Sequence, residues 1–187
     1  MYRERMEKLK EWKVSKNRKP LIIRGARQVG KTWLMKEFGK LYYEKCAYIN
    51  FDNNSRMDIL FNEEFDLDRI IQGLKIESGI NIEPENTLII FDEIQETPKA
   101  LKTLKYFYEN ANEYHIVAAG SLLGVAIHQG TSFPVGKVNF MDLMPLSFFE
   151  FLDALGQEHL LNLLKNNEFD MISVFNNKYK DYLKLYY

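Results

Sequence analysis

Apolar residues in this chain fall into two alternating patterns, short continuous runs and positions spaced three or four apart, which are the signatures of buried strands and of amphipathic helices. The continuous runs are Leu21 to Ile23, Ala47 to Phe51, Thr87 to Phe91, His115 to Ala119 and a less regular Val138 to Leu143. Each reads as a strand. Met6, Leu9 and Trp12 carry helical spacing before the first run, and Leu34, Phe38 and Leu41 carry it after. Leu67 to Glu77 reads as a helix closed by Gly79, and Leu101, Leu104, Phe107 and Tyr108 line another that opens at Thr97-Pro98, with Thr97 as cap and Pro98 at the first turn. Ser147 followed by Glu150 three residues on is a capping box, starting a helix through about Leu164. The rest of residues 56–86 gives no clear element, and the Tyr- and Leu-rich stretch Phe175 to Tyr187 stops without a cap or turn signal. Strands alternating with helices predict an α/β fold of three layers, a mostly parallel sheet of about five strands with helices on both faces and ligand sites at the carboxyl ends of the strands.

What stands at those strand ends is polar in a specific way. The first run leads into Gly25-Ala26-Arg27-Gln28-Val29-Gly30-Lys31-Thr32, the G-x-x-x-x-G-K-T pattern of a phosphate-binding loop (P-loop). Gly25 and Gly30 are expected to supply positive φ and close backbone approach, so that successive N–H groups from Gly25 to Trp33 face phosphate oxygens at the start of a helix. Lys31 is placed to reach the β and γ phosphates. The Thr32 hydroxyl is placed as one ligand of an octahedral Mg2+.

The third run ends in Asp92-Glu93, some sixty residues downstream. If that strand lies beside the P-loop strand, Asp92 holds the magnesium through a coordinated water, and Glu93 orients or deprotonates the water that attacks the γ-phosphoryl group. Ser121, after the fourth run, reads either as a γ-phosphate sensor or as the cap of the next segment. Arg24 and Arg27 read as phosphate contacts, contacts to a neighbouring subunit, or surface ion pairs. No arginine lies beyond Arg69, so the second half cannot supply an arginine finger, and Lys137 is the only cation between Lys105 and Lys165, a charge stabiliser or a solvated lysine. His115, His128 and His159 lack ligand spacing. Cys46, the single cysteine, excludes an intrachain disulfide and reads as a small buried residue.

Composition changes this picture little. With 46% hydrophobic and 27% charged residues and no apolar run near a membrane span, the 187 residues fit one globular domain, with the cytoplasm as expected location. Charge is uneven: residues 1–40 hold 13 Lys and Arg against 4 Glu, leaving 12 against 22 elsewhere. Arg3, Arg5, Lys8, Lys10, Lys13, Lys16, Arg18 and Lys19 precede the first strand, either as a solvated helix face or as a surface for nucleic acid or an acidic protein. The expected divisions are a basic amphipathic helix and turn over 1–19, an ATPase core over 20–145 and a helical extension over 146–187.

Taken together, KPLIIRGARQVGKTWLMKEFGK, LIIFDEIQETPKALKTLKYFYEN, YHIVAAGSLLGVAI and SFPVGKVNFMDLMPLSFFEFL resemble the bacterial and archaeal AAA-type ATPases that join an N-terminal P-loop domain to a C-terminal domain of unknown function. The resemblance runs from about Arg3 to Leu164. It implies the ASCE form of the P-loop fold, with another strand between the P-loop strand and the Asp92 strand. It also implies Mg-ATP as ligand and hydrolysis with Glu93 as catalytic carboxylate, coupled to a partner or appended domain. Such proteins are longer, so the chain reads as truncated, with the full-length form a possible homo-oligomer. The alternative functional class is a nucleotide-gated module for nucleic acid or protein with little turnover; a fragment that no longer assembles is the third.

Overall fold

The computed structural model describes residues 3–62, 66–120 and 136–187. Its centre is a five-stranded parallel sheet of β1 (Leu21–Arg24), β2 (Lys45–Asn50), β3 (Thr87–Asp92), β4 (His115–Gly120) and β5 (Asn139–Asp142) in the order β2-β3-β4-β1-β5. All five expected strands form. β3 does not lie beside β1, however: β4 pairs with both, Ala118 opposite Ile22 on one side and opposite Phe91 on the other. That is the inserted strand implied by the family resemblance.

Side-chain alternation sends β1 to β4 into two cores. Ile22, Ile49, Ile89, Phe91, Ile116 and Ala118 point one way, beneath α3 (Ser55–Asn62), α4 (Leu67–Ser78) and α5 (Pro98–Asn110). Leu21, Ile23, Leu88, Ile90, Val117 and Ala119 point the other way, beneath α1 (Arg5–Val14) and α2 (Lys31–Tyr42). Because β3 and β4 are buried at every position, they must read as unbroken apolar runs.

Some local expectations are corrected. Thr97 precedes α5 without a side-chain capping bond; its hydroxyl donates instead to Asp58 Oδ1, across to α3, a helix that the sequence pattern did not disclose. Past β5 the expected single helix divides into α6 (Phe148–Ala154) and α7 (Glu158–Lys165), separated where Gly156 turns left-handed at φ 68°. Then come α8 (Phe169–Val174) and α9 (Asn176–Tyr186). Leu152, Leu160, Leu161 and Tyr179 form a third small core, and the capping box is present in full, with Ser147 and Glu150 each bonded to the other's backbone N–H. Glu150 is buried, and the same carboxylate accepts from the Glu4 N–H at 2.9 Å and faces Arg3 Nε at 3.3 Å.

The amino-terminal cations are largely committed within the chain. Arg3 donates to the Met144 carbonyl, Lys13 to Tyr42, Arg18 to Asn112 and Lys19 to Gly136, while Lys10 pairs with Glu7. Lys8 and Lys16 stand exposed and Arg5 half-buried. Cys46 faces Gly39, where a Cβ would lie 2.7 Å from its sulfur, and burial pushes its thiol up to about 11, which fits a packing role.

α1 is clasped to the sheet around His115. Its Nδ1 lies 2.6 Å from the Tyr43 hydroxyl, and its ring meets Trp12 edge-on at 6.1 Å. Burial, reinforced by the cations Arg18 and Lys13, lowers its pKa from 6.5 to about 4. The folded state therefore holds the neutral imidazole, so its stability contribution is complete above pH 6.5 and lost as pH falls towards 4, by up to about 3 kcal/mol. Urea unfolding midpoints at pH 7.5 and 4.5 should differ less in His115→Phe than in the parent; an equal difference would remove His115 from the acid response.

Candidate nucleotide site

Helix α2 starts at the end of the loop after β1 because Gly30, its N-cap, sits at φ 90°, a conformation costly for other residues. Gly25 has a different reason from the one expected. Its φ is not positive; rather, a Cβ there would lie 2.3 Å from the Leu143 carbonyl oxygen, so the backbone passes β5's end too closely for any side chain. Positive φ falls on Gln28 instead, at 64°.

Lys31 is buried and curls back over the loop, its ammonium donating to the Gly25 carbonyl at 3.0 Å and the Ala26 carbonyl at 2.7 Å. Burial lowers its pKa, against the opposing pull of Glu93 and Asp92. One residue on, the Thr32 hydroxyl donates to Asp92 Oδ2 at 2.7 Å. This bond joins the start of α2 to the end of β3 although β4 lies between their strands. Asp92 is buried; its Oδ2 also accepts from the Tyr48 hydroxyl at 3.0 Å, and its Oδ1 from the Glu93 N–H at 3.2 Å. Burial, followed by the neighbouring Asp92, pushes the Tyr48 phenol well above its ordinary range.

Glu93 follows in the left-handed region at φ 52°, which turns the chain off the sheet into the short 3-10 turn Ile94–Glu96. Gln95 in that turn donates to Glu93 Oε2 at 2.7 Å and to Glu96 Oε1 at 3.2 Å. The loop, α2's first turn and this turn enclose a cleft of about 580 Å3, lined among others by Arg27, Lys31, Thr32, Trp33 and Glu93. Two cations and three carboxylates (Asp52, Glu93, Glu96) line it. Thr32 and Asp92 supply hard oxygen donors of the kind Mg2+ takes. Among the described residues no cluster of three or more His, Cys, Asp or Glu has the spacing to hold a metal alone.

A second hollow of about 570 Å3 opens on the other side of the loop. It shares Arg27, Gln28 and Gly30 with the first; beside Arg3, the rest of its lining is apolar and aromatic, with Val29, Leu146, Phe151, Tyr186 and Tyr187 among it. Tyr186 is fixed there by rings of Phe148 and Phe151 at 5.7 and 5.4 Å and by its hydroxyl on the Leu146 carbonyl.

Thus Ala26 to Thr32, Asp92 and Glu93 come together on one rim, whereas Arg24 and Lys137 are engaged in ion pairs. Arg24 is spent on Asp142, its register partner in β5, through two 2.9 Å bonds. Lys137 pairs with Glu109 at 2.9 Å before β5 begins, at the opposite end of the sheet. Ser121 lies outside the described residues. Sequence reasoning missed Tyr48, Gln95 and the aromatic hollow. Tyr48 sits in an AYINF run where its ring reads as one more apolar strand residue; only the β2–β3 pairing brings its hydroxyl to Asp92.

A family model described as an AAA domain matches residues 17–152. Among solved structures, the chain is similar to the Walker-type ATPase PABY2304 of Pyrococcus abyssi, with a TM-score of 0.53 and 18% identity over 83% of this chain and 57% of that one. It is likewise similar to a chain of Drosophila ORC bound to DNA, with a TM-score of 0.56 and 18% identity over 96% of this chain and 53% of that one. The chain thus spans little more than half the length of either. At such identity the likeness is one of fold. No curated protein sequence matches the chain.

Proposed function

This chain belongs to the AAA domain family of P-loop ATPases, and we propose that it binds Mg-ATP in the cleft beside Lys31 and hydrolyses it to ADP and phosphate. The observation that carries the reading is the Thr32–Asp92 hydrogen bond, because it draws the end of the phosphate loop and the acidic end of β3 into one site. In this assignment the N–H groups from Gly25 to Trp33 hold the triphosphate, and Lys31 leaves its two carbonyls for the β and γ phosphates. Thr32 and Asp92 would hold Mg2+, which when bound would neutralise charge at the phosphates.

Glu93 then orients the attacking water and accepts its proton as the γ-phosphoryl group departs from ADP. Ser121, next after β4, is assigned the γ-phosphate sensor. The aromatic hollow beside Val29 suits an adenine base, which Tyr186 or Phe151 can stack upon.

Hydrolysis in this reading drives a partner or an appended domain, with a neighbouring copy as the source of any arginine finger. For an acidic partner, Arg5 and Lys8 on α1 and Lys16 just beyond it offer a narrow basic surface. Fluorescent ATP should bind this chain in Mg2+ and weaken in EDTA, with phosphate released at steady state. A protein that bound ATP without any phosphate release would favour the nucleotide-gated module, and no binding at all would overturn the proposal.

A further inference from the structure

Tyr48 belongs to β2 and is separated in sequence from every residue of the P-loop and of the Asp92-Glu93 pair, yet its hydroxyl shares one oxygen with Thr32. The register explains how. Tyr48 stands opposite Ile90 in the β2–β3 ladder, two residues short of Asp92, and side chains two apart on a strand share a face, so a phenol from β2 reaches the carboxylate diagonally. The Lys36 ammonium lies over its ring, 3.6 Å from the centroid.

A carboxylate offers about four acceptor sites on its two oxygens. Among the described residues three are filled on Asp92, by Thr32 and Tyr48 on Oδ2 and by the Glu93 N–H on Oδ1. Asp92 is therefore fixed in rotation with one lone-pair direction left over. Without Tyr48, Oδ2 is held by Thr32 alone, which is itself a candidate metal ligand and cannot serve as an independent anchor.

We propose that Tyr48 is a positioning residue for the magnesium site, fixing the Asp92 carboxylate so that its remaining acceptor faces a water of the bound ion. The inference rests on the Mg-ATP reading above and goes one step past it, to a residue outside every motif in the chain. Outer-sphere partners of this kind commonly govern metal affinity by ten- to a hundredfold.

The test is Tyr48→Phe, which keeps the ring, its packing and the Lys36 contact while removing only the hydroxyl. Binding of a fluorescent ATP analogue is titrated against Mg2+ for parent and variant, and again in EDTA, with thermal melting to confirm folding. The expected result is a rise of about tenfold in half-saturating Mg2+, with EDTA binding unchanged. An unchanged Mg2+ midpoint in a variant whose parent is Mg2+-dependent overturns the role of Tyr48 alone. Equal loss of binding with and without Mg2+ also overturns it, because that marks a structural defect. A parent indifferent to Mg2+ overturns the Mg-ATP reading itself.

Discussion

Glu93→Gln should bind ATP at least as tightly as the parent while its phosphate release falls by about two to four orders of magnitude. The two side chains have nearly the same shape, and a glutamine tolerates φ 52° no worse than a glutamate, so the turn after β3 is retained. The Gln95 amide still finds an oxygen acceptor at that position. What disappears is a proton acceptor and one negative charge in a cleft already rich in carboxylates. Binding thus loses a repulsion and the chemical step loses its base. Paired measurements of fluorescent ATP affinity and steady-state phosphate release separate the two effects; parental turnover in the variant would assign the base elsewhere.

Lys31→Ala should fail at the earlier step, with ATP affinity reduced by at least about a hundredfold. A hydrogen bond from a charged donor contributes about 1.5 to 3 kcal/mol, and this ammonium has two phosphates to serve. It is also the donor to the Gly25 and Ala26 carbonyls, so its removal leaves the ligand-free loop without its internal clasp. Equilibrium titration with fluorescent ATP, alongside urea unfolding to register any loss of the clasp, checks both. Parental affinity in Lys31→Ala would show that the loop's N–H groups alone hold the phosphates.

The residues behind these expectations are legible in the sequence because the features they form are local. A strand buried on both faces leaves an unbroken apolar run, and a loop that must wrap phosphate leaves its glycines and lysine at fixed spacing. Ser147 and Glu150 announce a capping box by their separation alone, and it forms. Features that depend on pairing between distant segments were not readable. Thr97 looks like a cap until Asp58, 39 residues away, takes its hydroxyl. Gly25 looks like a φ requirement until Leu143 is seen to crowd it. α3 offers only Met57 and Phe61 as buried anchors in eight residues, too few for a period to emerge. The division between α6 and α7 lies at a single glycine in what otherwise reads as one helix.

The placement of β4 between β1 and β3 has a consequence for distance. Two inter-strand spacings, roughly 9 to 10 Å, separate the strand that feeds the phosphate loop from the strand that delivers the carboxylates. β4 is thereby a ruler. At double spacing, a hydroxyl from α2 spans the gap to the carboxylate that ends β3, the Thr32–Asp92 bond of 2.7 Å. The ruler is also thin where it matters, since Ala118, Ala119 and Gly120 bring little bulk to the end of β4. A larger residue at Ala118 or Ala119 would press into one core or the other, since the two side chains leave opposite faces of the sheet.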